Sequence, residues 1–136
     1  MSRFLGIDYG DSRIGLALSD PMKIIGKPFK TLDNKKNDIL NELRLIVQKN
    51  EVIRFVVGYP INMKGENTPQ TKKVDDFIIF LEKNFDLPIS KIDERLSSVS
   101  AINSLIIQGV KTGHNKSKID DTSAAIILQE FLDQKA

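Results

Sequence analysis

The chain has no cysteine and only one histidine, His114. The first absence removes disulfides, thiolate nucleophiles and cysteine zinc sites, and it fits a reducing compartment. The second leaves Ser-His-Asp and Cys-His catalysis with little support. No apolar run approaches the roughly 18 residues of a membrane span. The opening "MSRFLGIDYG" enters a strand pattern directly, without the apolar segment of a secretory signal. A cytoplasmic location without membrane contact is therefore expected. Charge of one sign is also scarce. The 20 Lys and Arg against 18 Asp and Glu leave a net +2, too little to argue for nucleic acid by itself. Internal repeats, low-complexity tracts and Pro/Gly-rich linkers are missing too. What remains is an ordinary globular composition, 40% apolar and 28% charged. At 136 residues it is the size of one domain, residues 1–136, with length enough for a real core.

The stretch "FLGIDYGDSRIGLALSD" holds the first puzzle. Residues 3–9 and 13–19 read as two strands of a hairpin, turned through Tyr9 to Ser12. In the second, Ile14, Leu16 and Leu18 alternate with Arg13, Ala17 and Ser19. Yet the first strand ends on an aspartate, Asp8, and strand interiors disfavour carboxylates. Asp8 is either a turn residue or held there for chemistry. Gly10 suits the turn, where positive φ is often required. Gly6 shares the Asp8 face, leaving room for a nucleic-acid backbone or a helix.

Further along, a weaker strand lies near Lys27 to Thr31. Residues 37–50 carry an apolar helical stripe through Ile39, Leu40, Leu43, Ile46 and Val47. "VIRFVVG", 52–58, reads as a short buried strand. "YPINMKGENTPQ" is a loop. Val74, Phe77, Ile78 and Leu81 mark a second helix, and "PISKID", 88–93, a fifth strand. Helices at 98–108 and 119–133 complete the pattern. Three opening strands followed by alternating helices and strands predict an α/β fold. It has a five-stranded mixed sheet, its first three strands antiparallel, flanked by helices.

Three acids end elements beside apolar sequence. Asp8 closes the first strand, Glu94 the fifth, and Asp120 begins the apolar stripe of the last helix, with Ala124, Ile127, Leu128 and Phe131. Each has a plain alternative. Asp8 suits a hairpin turn, Glu94 a solvated strand end, and Asp120 or its neighbour Asp121 the positive end of a helix. Together they make more sense as one cluster. Gathered carboxylates repel unless divalent cations neutralise them. Mg²⁺ and Mn²⁺ favour oxygen ligands, and such sites activate water against phosphodiesters. Between Glu94 and Asp120 there is no acid at all, while Arg95, Lys111, Lys116 and Lys118 fall in that interval. "GVKTGHNKSK", 109–118, reads as a basic loop suited to a phosphate backbone, or else as a merely solvated one. Arg13 and His114 join the candidate phosphate contacts.

The segments "GIDYGDSRIGLALSDP", "VVGYPINMKGENTPQTKKVDDF", "DERLSSVSA" and "IDDTSAAIILQEFLD" occur in that order along the chain. Through them the chain resembles the YqgF/RuvX family of RNase H-like proteins. Its members are described as Holliday junction resolvases and as pre-16S ribosomal RNA nucleases. The resemblance implies an RNase H-like fold and hydrolysis of phosphodiesters with Mg²⁺ or Mn²⁺. It carries Asp8, Glu94 and Asp120 over as the catalytic, metal-holding acids. Many RNase H-like nucleases place an acid at the end of the strand beside the first. Here that strand ends Gly58-Tyr59-Pro60, so the second acid comes from the next strand, as Glu94. The implied partners are precursor 16S rRNA, cut near its 5′ end, and ribosomal particles. Branched DNA is the alternative, and monomer or homodimer stays open.

Two other classes remain. "GIDYG" also resembles the first phosphate loop of the actin, sugar-kinase and heat-shock ATPases. Those need a second, duplicated domain, for which this chain has no room, and a GxxxxGK[ST] loop is missing. A non-catalytic nucleic-acid- or ribosome-binding factor would need only the basic loop, and metal-dependent cleavage separates it from a nuclease.

Overall fold

The first apolar run forms strand β1 (Arg3–Tyr9), which turns through Gly10 to Ser12 into β2 (Arg13–Ser19). The chain then passes through β3 (Gly26–Asp33), helix α1 (Ile39–Asn50), β4 (Val52–Tyr59), α2 (Pro69–Asn84), β5 (Ile89–Asp93) and α3 (Lys116–Gln134). This computed structural model describes the backbone of residues 2–94 and 116–134, and the side chains of 2–94 and 122–134. The helix expected at 98–108 lies outside the described residues.

The strands form one sheet in the order β3-β2-β1-β4-β5. β1 pairs antiparallel with β2, and β2 with β3, whereas β1–β4 and β4–β5 are parallel. The expected mixed sheet with an antiparallel opening is thus present. β3 is longer than its apolar pattern suggests. It lies on an edge with half its residues exposed, so burial imposes little alternation on it.

Of the described helices, two pack on one face and one on the other. Leu5, Ile7, Ile14, Leu16, Phe55 and Val57 meet Leu43 and Ile46 of α1 and Val74, Phe77, Ile78 and Leu81 of α2. On the opposite face Phe4, Ala17, Val56 and Ile92 meet Ala124, Ala125, Ile127, Leu128, Phe131 and Leu132 of α3. β2 is therefore buried on both sides, and the expected alternation describes only one of them. Ala17 and Ser19 are almost wholly buried, because α3 covers the face assigned to solvent.

Small residues let α3 lie low. A Cβ on Gly6 would stand 2.8 Å from Leu128 Cβ and 2.9 Å from the Ala124 carbonyl oxygen. The room at Gly6 is thus taken by the last helix. Gln129 fastens the helix to β3: its side-chain oxygen accepts from Gly26 N–H at 2.9 Å, and its amide donates to the Ile24 carbonyl at 2.9 Å. The face of α3 follows the apolar stripe read from sequence.

The helix starts have chemical causes. The Asp38 side chain caps α1 by accepting from Asn41 N–H at 3.3 Å. Thr68 and Thr71 form a reciprocal capping box on α2, with Pro69 at its first position. The buried Thr71 hydroxyl also donates to the Pro60 carbonyl, tying helix to loop. In the hairpin, Gly10 lacks the positive φ anticipated for it. A Cβ there would stand 2.7 Å from the Arg13 carbonyl oxygen, so close approach, not backbone handedness, excludes a side chain.

Candidate active site

Asp8 lies within β1 and pairs with Gly15 of β2, so it belongs to the ladder and not to the turn. Strand alternation puts it on the face of Phe4 and Gly6, beneath α3. Its other neighbour is β4. The ladder pairs Gly6 with Val56 and Ile7 with Val57. One step further, Asp8 draws level with Gly58.

Glu94 approaches from the other side of β4. β5 pairs Ile92 with Gly58 and Asp93 with Tyr59, and the Glu94 N–H then donates to the Tyr59 carbonyl at 3.3 Å. This bond holds Glu94 one residue past the strand, on the face of Ile92. Its carboxylate leans back over β4: Oε1 lies 2.7 Å from where a Cβ on Gly58 would stand. Asp8 and Glu94 therefore share one face and one end of the sheet, on the two strands flanking Gly58. Burial pushes the Glu94 carboxyl above its usual range, and the charge of Asp93 adds to this.

The third candidate belongs to α3, whose backbone crosses this face of the sheet. Ala124 stands over Gly6 and Phe131 packs on Phe4, with ring centroids 5.8 Å apart. The helix thus runs against the direction of β1, and its earlier turns extend toward the Asp8 end. Asp120 is one turn, about 6 Å, before Ala124 along the axis. The backbone brings this position to the same end as Asp8 and Glu94, while its side chain lies outside the described residues. Among the described residues alone, no three metal-ligating side chains gather.

The basic candidates are distributed differently. Arg13 opens β2, half-buried, and alternation puts it on the Asp8 face. Arg95, Lys111 and His114 lie outside the described residues. Lys116 and Lys118 were expected in a loop, yet α3 already begins at Lys116. A first helical turn has no face that must be buried, so the apolar stripe starts later than the helix itself. The earlier start moves Asp120 out of the first turn, where the helix dipole would have been reason enough for an acid.

Gly58 is the residue whose importance the sequence reading missed. It was noted as a strand end lacking an acid, not as the space another acid fills. The available signal was a glycine inside a β-branched strand, which marks close approach.

Known proteins can now be set beside this geometry. Residues 2–134 match the family described as "RuvX: Holliday junction resolvase". The chain belongs to the RuvX family. Relatives in it include the "Putative pre-16S rRNA nuclease" of Amoebophilus asiaticus, 44% identical across 97% of this chain and 94% of that one. The protein of the same name from Ruminiclostridium cellulolyticum is 41% identical, across 98% and 96%. Among solved structures, Thermus thermophilus RuvC in complex with Holliday junction substrate superposes with a TM-score of 0.58 at 11% identity. It covers 100% of this chain and 97% of its own. The fowlpox virus resolvase, solved with Holliday junction DNA, gives 0.53 at 9% identity, covering 98% of each chain. At such identities the likeness concerns the fold, which is the RuvC-like RNase H arrangement.

Proposed function

We propose that this RuvX-family chain is a divalent-metal-dependent endonuclease acting on structured RNA, with precursor 16S rRNA, near its 5′ end, as its substrate. The observation that carries this reading is the placement of Asp8 and Glu94 on one face and at one end of the sheet, with the Glu94 carboxylate lying over Gly58 between them, at the end toward which the early turns of α3 extend. The names of the relatives support the choice of RNA.

The donor set suits Mg²⁺ or Mn²⁺. Its atoms are carboxylate oxygens, which hard cations prefer. Glu94 is partly desolvated beside the charge of Asp93, so a cation would favour its ionised form. Asp8, Glu94 and Asp120 would hold the ion. When bound, it supplies Lewis-acid polarisation of the phosphodiester and neutralises developing charge. The chain's own groups do the rest. β1 carries Asp8, the bond to Tyr59 of β4 holds Glu94 one residue past β5, and α3 screens the sheet behind them from water. Arg13, Arg95, Lys111, His114, Lys116 and Lys118 would contact phosphates, positioning the strand without reading bases. Hydrolysis adds water across a P–O bond, with water as the nucleophile.

The test incubates the protein and Asp8→Asn with Mn²⁺, a precursor 16S rRNA transcript and a synthetic four-way DNA junction. Wild type should cut the RNA, and Asp8→Asn should lose cutting while keeping its melting temperature or gaining a few degrees as charge repulsion falls. Cleavage of the junction alone would favour the second reading, a resolvase, which the family's description motivates. Binding of RNA without cleavage would make the chain a non-catalytic binding factor.

A further inference from the structure

The sheet poses a distance problem for the proposed metal site. β1 and β5 are not neighbours, since β4 lies between them. Adjacent strands are about 4.8 Å apart, so Asp8 and Glu94 leave backbones separated by about 9.6 Å. Oxygen ligands of Mg²⁺ lie about 2.1 Å from the ion. Two carboxylates standing upright on these strands would be too far apart to share one ion closely. At least one has to lean across β4.

Position 58 is where that leaning becomes possible. It pairs with Ile92 on β5, and the β1–β4 register brings it level with Asp8. Being glycine, it leaves its space on the α3 face empty, and two side chains enter it. Ile127 Cδ1 comes within 2.5 Å of the missing Cβ position from the helix above, and Glu94 Oε1 within 2.7 Å from the neighbouring strand. Even alanine would have to displace both. The Glu94 N–H to Tyr59 carbonyl bond fixes the backbone, so the carboxylate alone would have to swing outward.

We infer that Gly58 is a positioning residue for the active site: its missing side chain is what lets the Glu94 carboxylate cross β4 toward Asp8 and join it on a shared cation. This rests on the nuclease reading for the purpose of the arrangement, though not for the arrangement itself. Gly58 contacts no substrate in this account. It acts only through Glu94.

Substituting Gly58 alone conflates two effects, because alanine would also push on Ile127. Ile127→Val removes the Cδ1 atom and gives the helix room. The informative protein is therefore Gly58→Ala/Ile127→Val, measured beside wild type and Ile127→Val. Crystal structures give the Glu94 carboxylate position, calorimetric titration with Mn²⁺ gives metal affinity, and thermal melts report folding. The expected result is a carboxylate swung off β4 and Mn²⁺ affinity lower by roughly 10–100-fold than in Ile127→Val, at a similar melting temperature. A carboxylate still over β4, or a measurable Mn²⁺ affinity equal to that of Ile127→Val, would overturn the inference and leave Gly58 a packing residue for α3. A swung carboxylate in a set of proteins none of which binds Mn²⁺ would uphold the positioning role and sink the metal reading instead.

Discussion

Among single residues, Glu94 shows how environment gives an ordinary acid an unusual character. Burial raises its carboxyl above the usual value of 4.5, and Asp93 adds to the shift. A carboxyl whose folded pKa exceeds its unfolded one binds protons more readily in the native state. Its contribution to stability is fully present below 4.5 and is lost as pH rises through the elevated folded value. In the metal-free protein, Glu94→Gln should therefore melt higher than wild type at neutral pH. The two should converge near about pH 4, in thermal melts across that range with a chelator present. Added Mn²⁺ should raise wild type selectively, because a cation stabilises the ionised form. At this scale the sequence was partly legible. Asp8 and Glu94 could be singled out because each interrupts apolar sequence at an element end. Gly58 was harder: a glycine inside a β-branched strand signals close approach, but nothing local records that the approaching group is a side chain 36 positions away in the chain.

At the scale of elements, two contacts deserve direct tests. The first is the crossing of α3 over β1. A methyl group at position 6 would meet both Leu128 Cβ and the Ala124 carbonyl, one of them backbone, so relief requires the helix to move. Gly6→Ala should cost about 1–3 kcal/mol in urea denaturation. The second is the start of α2. Thr71 Oγ1 accepts from the Thr68 N–H at 2.8 Å and donates to the Pro60 carbonyl, all part-buried. Thr71→Val keeps the shape and strands both partners, so a loss of about 1–3 kcal/mol is expected by the same measurement. Apolar periodicity revealed α1, α2 and α3 because each buries one clear apolar stripe, and short apolar runs revealed the buried strands. It gave the start of α3 too late, since the residues Lys116 to Lys118 carry no apolar signal. It also misjudged β2, because covering both faces of a strand takes a helix distant in sequence.

For the whole molecule, charge arrangement outweighs net charge. The excess of +2 is small, yet the interval from Arg95 to Ile119 holds bases and no acids. Replacing Lys111, Lys116 and Lys118 with alanine should weaken RNA binding across unrelated sequences. Each lost phosphate contact should flatten the log–log salt dependence by about 0.7–0.9, measured by filter binding at several salt concentrations. An unchanged slope would move the RNA surface elsewhere. The sheet order was legible only as a class. That β1 and β5 flank β4 follows from parallel crossovers, which fix three-dimensional neighbours without leaving a mark in any one segment.

The clasp between Gln129 and the backbone at Ile24 and Gly26 spans more than a hundred residues, and the same helix carries the third acid. During synthesis, all five strands emerge before α3 does. Until then Phe4, Ala17, Val56 and Ile92 lack the cover that α3 gives them, and exposed apolar surface of this kind favours association with other chains. Asp8 and Glu94 have been synthesised by that stage, whereas Asp120 has not. On the proposed nuclease reading, a chain stalled before this helix would hold only two of its three candidate metal ligands, and cleavage would wait until α3 was made.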